Sequence, residues 1–175
     1  MKGAYSYAAI ALAVLAMHGV ATAQTTATVS ADVTIPTVLF VDIDKTTVSF
    51  PSPDASDYTT GWIDAQVADN DATLTHKANV AHSVYVSTTS EFFDAGNAAN
   101  DNLKPASHLA WRKDNAGAFA GLVFTNDPEA DADAVVAGAA RGTGSAEIDY
   151  RLTLDYTTDA PDTYSLDFVY TIIAD

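Results

Sequence analysis

From residue 27 onward, apolar and polar positions follow a period of two rather than the three-and-four spacing of a helix. In the first run Ala27, Val29, Ala31, Val33 and Ile35 share one face, and Thr28, Ser30, Asp32 and Thr34 share the other. Successive strand side chains point to opposite faces, so the pattern predicts a strand with one buried and one solvated side. The clearest run lies near the C-terminus. There Ala146, Ile148, Tyr150, Leu152, Leu154 and Tyr156 alternate with Glu147, Asp149, Arg151, Thr153 and Asp155. A second run follows, with Tyr164, Leu166, Phe168, Tyr170 and Ile172 on one face. Residues 157–162, with Asp159-Ala160-Pro161-Asp162, form a turn cluster between them, so the two runs are expected to pair as an antiparallel hairpin.

Further strands are expected at 38–43, 46–50, 61–67, 73–79, 83–88, 109–113 and 121–125. Pro36, Pro51-Ser52-Pro53, Asp69-Asn70-Asp71 and Asp114-Asn115 punctuate them. Many short strands with frequent turn signals argue for a sandwich or a barrel, and one solvated face per sheet favours the sandwich. Two segments break the pattern. Residues 94–107, rich in Asn, Asp, Ala and Gly, read as a long exposed loop. Residues 126–145 stay open between irregular loop and a helix of one to three turns, with Asp127 as N-cap, Pro128 at the first position and helix formers over 130–140. The expected fold is therefore all-β, an antiparallel β-sandwich with room for one short helix in a long loop.

The N-terminus changes the picture of where this fold works. Lys2 precedes an apolar run over residues 8–20, broken only by His18 and Gly19, and Ala21-Thr22-Ala23 offers an A-x-A processing site. That order is the signature of a secretory signal peptide. The run is shorter than the roughly 20 residues a spanning helix needs. Residues 1–23 are thus expected to be removed, leaving 24–175 as a single β-sandwich domain with no membrane span. The expected location is secreted, extracellular or cell-surface, with the periplasm also open.

Charge narrows the partners. The formal net charge is −15, and the loss of Lys2 makes it more negative still. Such a surface repels phosphate backbones and anionic headgroups, so nucleic acid is excluded as an expected partner. The acid is nearly all Asp, with Glu only at 91, 129 and 147. Asp suits turns because its carboxylate bonds nearby backbone N–H groups. A saline habitat and a surface that meets divalent cations both fit this bias. With no cysteine, no disulfide can staple the domain.

Two stretches carry a resemblance. Val29-Ser30-Ala31-Asp32-Val33-Thr34-Ile35-Pro36 resembles the opening of secreted bacterial immunoglobulin-like sandwich proteins of the spore-coat-U and pilin-like kind. Ala160-Pro161-Asp162-Thr163-Tyr164, then Phe168-Val169-Tyr170-Thr171-Ile172, is similar to their terminal strand, with Asp162 where they usually carry Gly. The resemblance covers the two ends of the chain and implies an immunoglobulin-like fold with a structural or adhesive role at the cell surface.

Candidate chemistry is sparse. His76, His82 and His108 form no H-E-x-x-H, and the two nearer ones read as half-exposed structural histidines. No G-x-S-x-G occurs, and the lack of cysteine excludes thiol catalysis. Carboxylate pairs are too many for any one to be diagnostic. Calcium is the more specific use of the acids, because hard cations take several oxygens from flexible loops. The candidates are Asp69 and Asp71 in one turn, and Asp127, Glu129, Asp131 and Asp133 in another. The second group is no EF-hand, since Ala132 replaces the required Gly and Gly138 the required Glu. Trp62, Trp111, Tyr58 and Phe119 offer either a sugar-stacking platform or ordinary core and cross-strand pairs.

The leading expectation is a non-enzymatic structural or adhesive protein of the cell surface, a polymerising subunit whose partners are itself or other surface proteins. The alternative is a calcium-assisted carbohydrate- or surface-binding module, and an acid-dependent hydrolase ranks third. No cofactor other than calcium is expected. In the polymerising case, residues 25–35 are the segment that would cross between subunits, against an ordinary first strand in its own domain.

Overall fold

The computed structural model describes residues 27–66 and 71–175. The chain divides into two units, Met1–Ile35 and Pro36–Asp175. The expected signal peptide lies outside the described residues, as does Asp69.

In the second unit the strands are β1 (Leu39–Ile43), β2 (Trp62–Asp64), β3 (Ala72–Ala78), β4 (His82–Thr88), β5 (Asp94–Ala95), β6 (Leu109–Lys113), β7 (Ala116–Gly121), β8 (Ala134–Ala139), β9 (Gly142–Thr153), β10 (Tyr164–Ser165) and β11 (Phe168–Ala174). A six-stranded antiparallel sheet runs β1-β3-β9-β6-β7, with β2 also on β9, and a three-stranded sheet runs β11-β4-β8. β5 and β10 form a separate pair. The fold is the expected all-β sandwich. Leu74, Ile148 and Tyr150 from the larger sheet meet Val84, Val86 and Val136 from the smaller one in the core.

β9 organises the larger sheet. Its inward residues Ala146, Ile148 and Tyr150 are buried, as the alternation predicts. β3 pairs with it over Gly142–Ile148, β6 over Ile148–Leu152 and β2 over Arg151–Thr153. The expected hairpin with β11 is not made. β11 pairs with β4 in the other sheet, and residues 154–167 carry the chain across. Alternation states which face of a strand is apolar but is silent on its edge partner. The two apolar faces do meet, through the sandwich instead of along an edge: Tyr150 and Phe168 rings lie 5.6 Å apart, and the hydroxyls of Tyr150 and Tyr170 are 2.7 Å apart.

Local signals explain several other boundaries. Asp114 and Asn115 both take positive φ, 52° and 53°, and close a two-residue turn between Lys113 and Ala116. That geometry matches the strand twist of a tight hairpin. It starts β7 at Ala116, so the strand expected at 121–125 sits earlier in the chain. Helix α1 (Ala55–Thr60), not expected, opens with a capping box between Asp54 and Asp57 and ends at Gly61 with φ 84°. Helix α2 (Pro128–Asp131) has the expected cap, Asp127, and Pro128 at its start. The helix formers beyond it become β8, because Val135 and Val136 bury against the core while the backbone pairs with β4. Residues 46–50 form no strand, yet Val48 and Phe50 pack against the core. The segment 94–107, expected as a long exposed loop, instead opens with β5, carries 3-10 turns at Ala98–Asn100 and Ala106–His108, and buries Lys104 and Ala106.

The first unit contrasts with this. Its described residues, 27–35, belong to no strand, and Val29, Val33 and Ile35 are 90%, 83% and 73% exposed. Among the described residues no helix is long and apolar enough to cross a membrane.

Candidate functional site: an open sheet edge and buried polar clusters

The acidic candidates stay apart. Asp127 accepts from Ala130 N as a helix cap, and Asp131 accepts from the Thr125 hydroxyl at 2.7 Å. Glu129 and Asp133 are exposed. Asp71 sits at φ 58° with Asn115 Nδ2 3.5 Å from its carboxylate. Among the described residues no three His, Asp or Glu side chains come together as a metal-holding group.

The four aromatics separate as well. Trp111 is core. Tyr58 stacks on Tyr156 with centroids 4.4 Å apart. Trp62 and Phe119 lie against the Arg151 guanidinium, 3.4 and 4.1 Å from their centroids, while Asp64 accepts two hydrogen bonds from it at 2.7 and 3.2 Å. Arg112 repeats the motif, against Phe119 and paired with Asp149 at 2.8 Å. Trp62 and Phe119 thus join a cation–aromatic cluster on the outer face of the larger sheet, apart from Trp111 and Tyr58.

The histidines depart from expectation. His76 on β3 and His82 on β4 are buried, 7% and 0% exposed, and face each other across the sandwich with Nδ1 and Nε2 2.7 Å apart. His82 Nδ1 lies 3.2 Å from Val80 O, a partner that only an N–H can satisfy. That assigns His82 Nε2 as acceptor and His76 Nδ1 as donor. Burial, then His82 and Lys113, push His76 below its ordinary value. Gly144 on β9 makes room for the ring, because a Cβ there would lie 2.5 Å from Nε2.

A second buried polar cluster sits where the loop after β5 meets the connection after β9. Lys104 Nζ donates to Thr153 O at 2.9 Å and pairs with Asp159 Oδ1 at 2.5 Å, and the side chains are 2% and 5% exposed. Burial pulls the Lys104 ammonium down against the opposing pull of Asp159. Beside them, His108 Nδ1 is buried without a hydrogen-bond partner, and burial followed by the Lys104 charge holds that ring below its ordinary value. Sequence reasoning missed this cluster because its members are up to 55 residues apart. The one available signal is the scarcity of cations in so acidic a chain: Lys104, Arg112 and Arg151 all hold ion pairs.

The last feature is an edge. β11 pairs with β4 on one side and, among the described residues, with no strand on the other. Between it and residues 43–50 runs a groove of about 520 Å³. Its apolar lining includes Ile43, Val48, Phe50, Phe93, Phe168 and Tyr170. Lys45, Thr46, Thr47, Ser165 and Asp167 also line it, so the groove beside this edge is mixed in character. An unpaired edge strand carries main-chain donors and acceptors of the kind that strand addition uses.

The chain matches no family model and no curated protein.

Proposed function

We propose that the protein is a non-catalytic structural subunit of the cell surface, exported by its N-terminal signal, that assembles with copies of itself by strand addition. One observation carries this reading. Residues 27–35 have the alternation of a strand but are exposed and belong to none, while among the described residues β11 leaves an edge unpaired beside a groove with apolar side chains. The occupant is therefore residues 27–35 of a second copy, with Val29, Val33 and Ile35 filling alternate pockets as its backbone pairs with β11. Exposed apolar side chains on a chain this acidic need cover, and a neighbour's groove supplies it. The resemblance of both chain ends to secreted sandwich proteins supports the same location and role.

A photoreactive side chain in place of Val29, in a mixture of light and isotope-labelled protein, tests the reading. Light-to-heavy crosslinks to 168–174 are expected, together with fibres in electron micrographs that vanish when 27–35 are deleted. Crosslinks found only within one chain would end the strand-addition idea.

A further inference from the structure

The Lys104–Asp159 cluster has more parts than an ion pair needs. Both side chains are almost wholly buried, and the Lys104 Nζ touches one carboxylate and one neutral carbonyl. Two charges withdrawn from water lose hydration that their mutual attraction restores only in part. The Asp159 carboxyl also meets two donors: the Thr158 hydroxyl reaches Oδ1 at 3.1 Å and Asp155 N–H reaches Oδ2 at 3.1 Å. His108 Nδ1 is buried without a partner, in the field of both charges.

We propose that Lys104 and Asp159 condense into an intramolecular amide, a covalent cross-link between the loop after β5 and the connection after β9. A proton first moves from the ammonium to the carboxylate, a shift that a low-dielectric interior favours because it abolishes two buried charges. The Nζ lone pair then attacks Asp159 Cγ, and the oxygen that gains negative charge is met by the donors already aimed at the carboxyl. The Nζ–Cγ bond forms, one Cγ–O bond breaks, and the departing oxygen leaves with two protons as water. The second proton passes from Nζ to that oxygen across the same short Lys104–Asp159 contact. An ammonium and a carboxylate enter, an amide and water leave, and neither oxidant nor metal takes part. In a chain with no cysteine, this bond would close a long loop as a disulfide does elsewhere.

Intact mass spectrometry of the purified, folded full chain, denatured only for measurement, tests this. The mass should lie below that of its own sequence by one water, and fragmentation should give a branched peptide joining Lys104 to Asp159. Lys104→Gln should show no deficit. Asp159→Asn, which keeps the side-chain shape, should change the deficit to one ammonia, because nitrogen instead of oxygen leaves Cγ. Wild-type protein at its full sequence mass would overturn the proposal. So would a one-water deficit that persists in Lys104→Gln or Asp159→Asn.

Discussion

Residues 27–35 and strand β9 are written in the same pattern and end in opposite circumstances. Both alternate cleanly between apolar and polar positions. In β9, Ile148 and Tyr150 are 0% and 1% exposed, and the strand is flanked by β3, β2 and β6. In 27–35, Val33 is 83% exposed and, among the described residues, none of the segment belongs to a strand. The difference shows that alternation describes competence to be a strand. Burial needs two further things, an edge with free hydrogen-bonding groups and an apolar face to lie against. β9 finds both within its own chain, and in the proposed assembly the β11 edge, unpaired among the described residues, would supply both to a neighbour's segment.

That comparison can be broken most directly at its buried end. Ile148→Ala removes a fully buried side chain from the centre of β9 and should destabilise the domain by about 2–5 kcal/mol in chemical denaturation. A loss near zero would mean that β9 is not the spine of the larger sheet. Gly144→Ala, at the start of the same strand, should cost about 1–3 kcal/mol, because the new methyl meets His76 and the ring must move. Restoration of stability by the further change His76→Ala would tie the loss to that one contact.

The histidine pair gives β9 a pH-dependent neighbour that 27–35 lacks. His76 is held below its ordinary 6.5, so the unfolded chain takes up its proton before the folded one does. The stability contribution is therefore complete above 6.5 and declines as pH falls from there towards the depressed folded value. His108, shifted the same way, adds to the decline. Unfolding free energy should fall between about pH 7 and about pH 5, and less steeply in His76→Gln, which cannot titrate. Equal slopes for the two proteins would remove His76 from the account.

The smallest effect should come from the exposed end. Val33→Ala should change the stability of the isolated monomer by less than about 0.5 kcal/mol. The same substitution should weaken assembly, since the alternate side chains fill the neighbour's groove in the proposed contact. A monomer destabilised as strongly as by Ile148→Ala would mean that 27–35 pack within their own chain after all.

Much of this molecule follows from near neighbours in the chain. Alternation marked the inward faces of β9 and β11, Asp127-Pro128 marked the start of α2, and the Asp54–Asp57 capping box with Gly61 was there to be read for α1. These features rest on interactions within a few residues, so composition and spacing contain them. The partner of each strand does not. β11 pairs with β4 rather than with its sequence neighbour β9, and β8 is a strand despite its helix formers, because long-range packing outweighs local preference.

The polar clusters belong wholly to the tertiary structure. His76 and His82 read as separate half-exposed residues until two sheets bring a nitrogen of each ring to 2.7 Å from the other. Lys104 reads as a loop cation until the chain returns with Asp159 and buries both. A side chain's chemistry depends on its dielectric surroundings and on which groups face it. Sequence by itself determined the supply of strands, turns and scarce cations. Only the fold decided which groups left water together, because that depends on contacts between residues far apart along the chain.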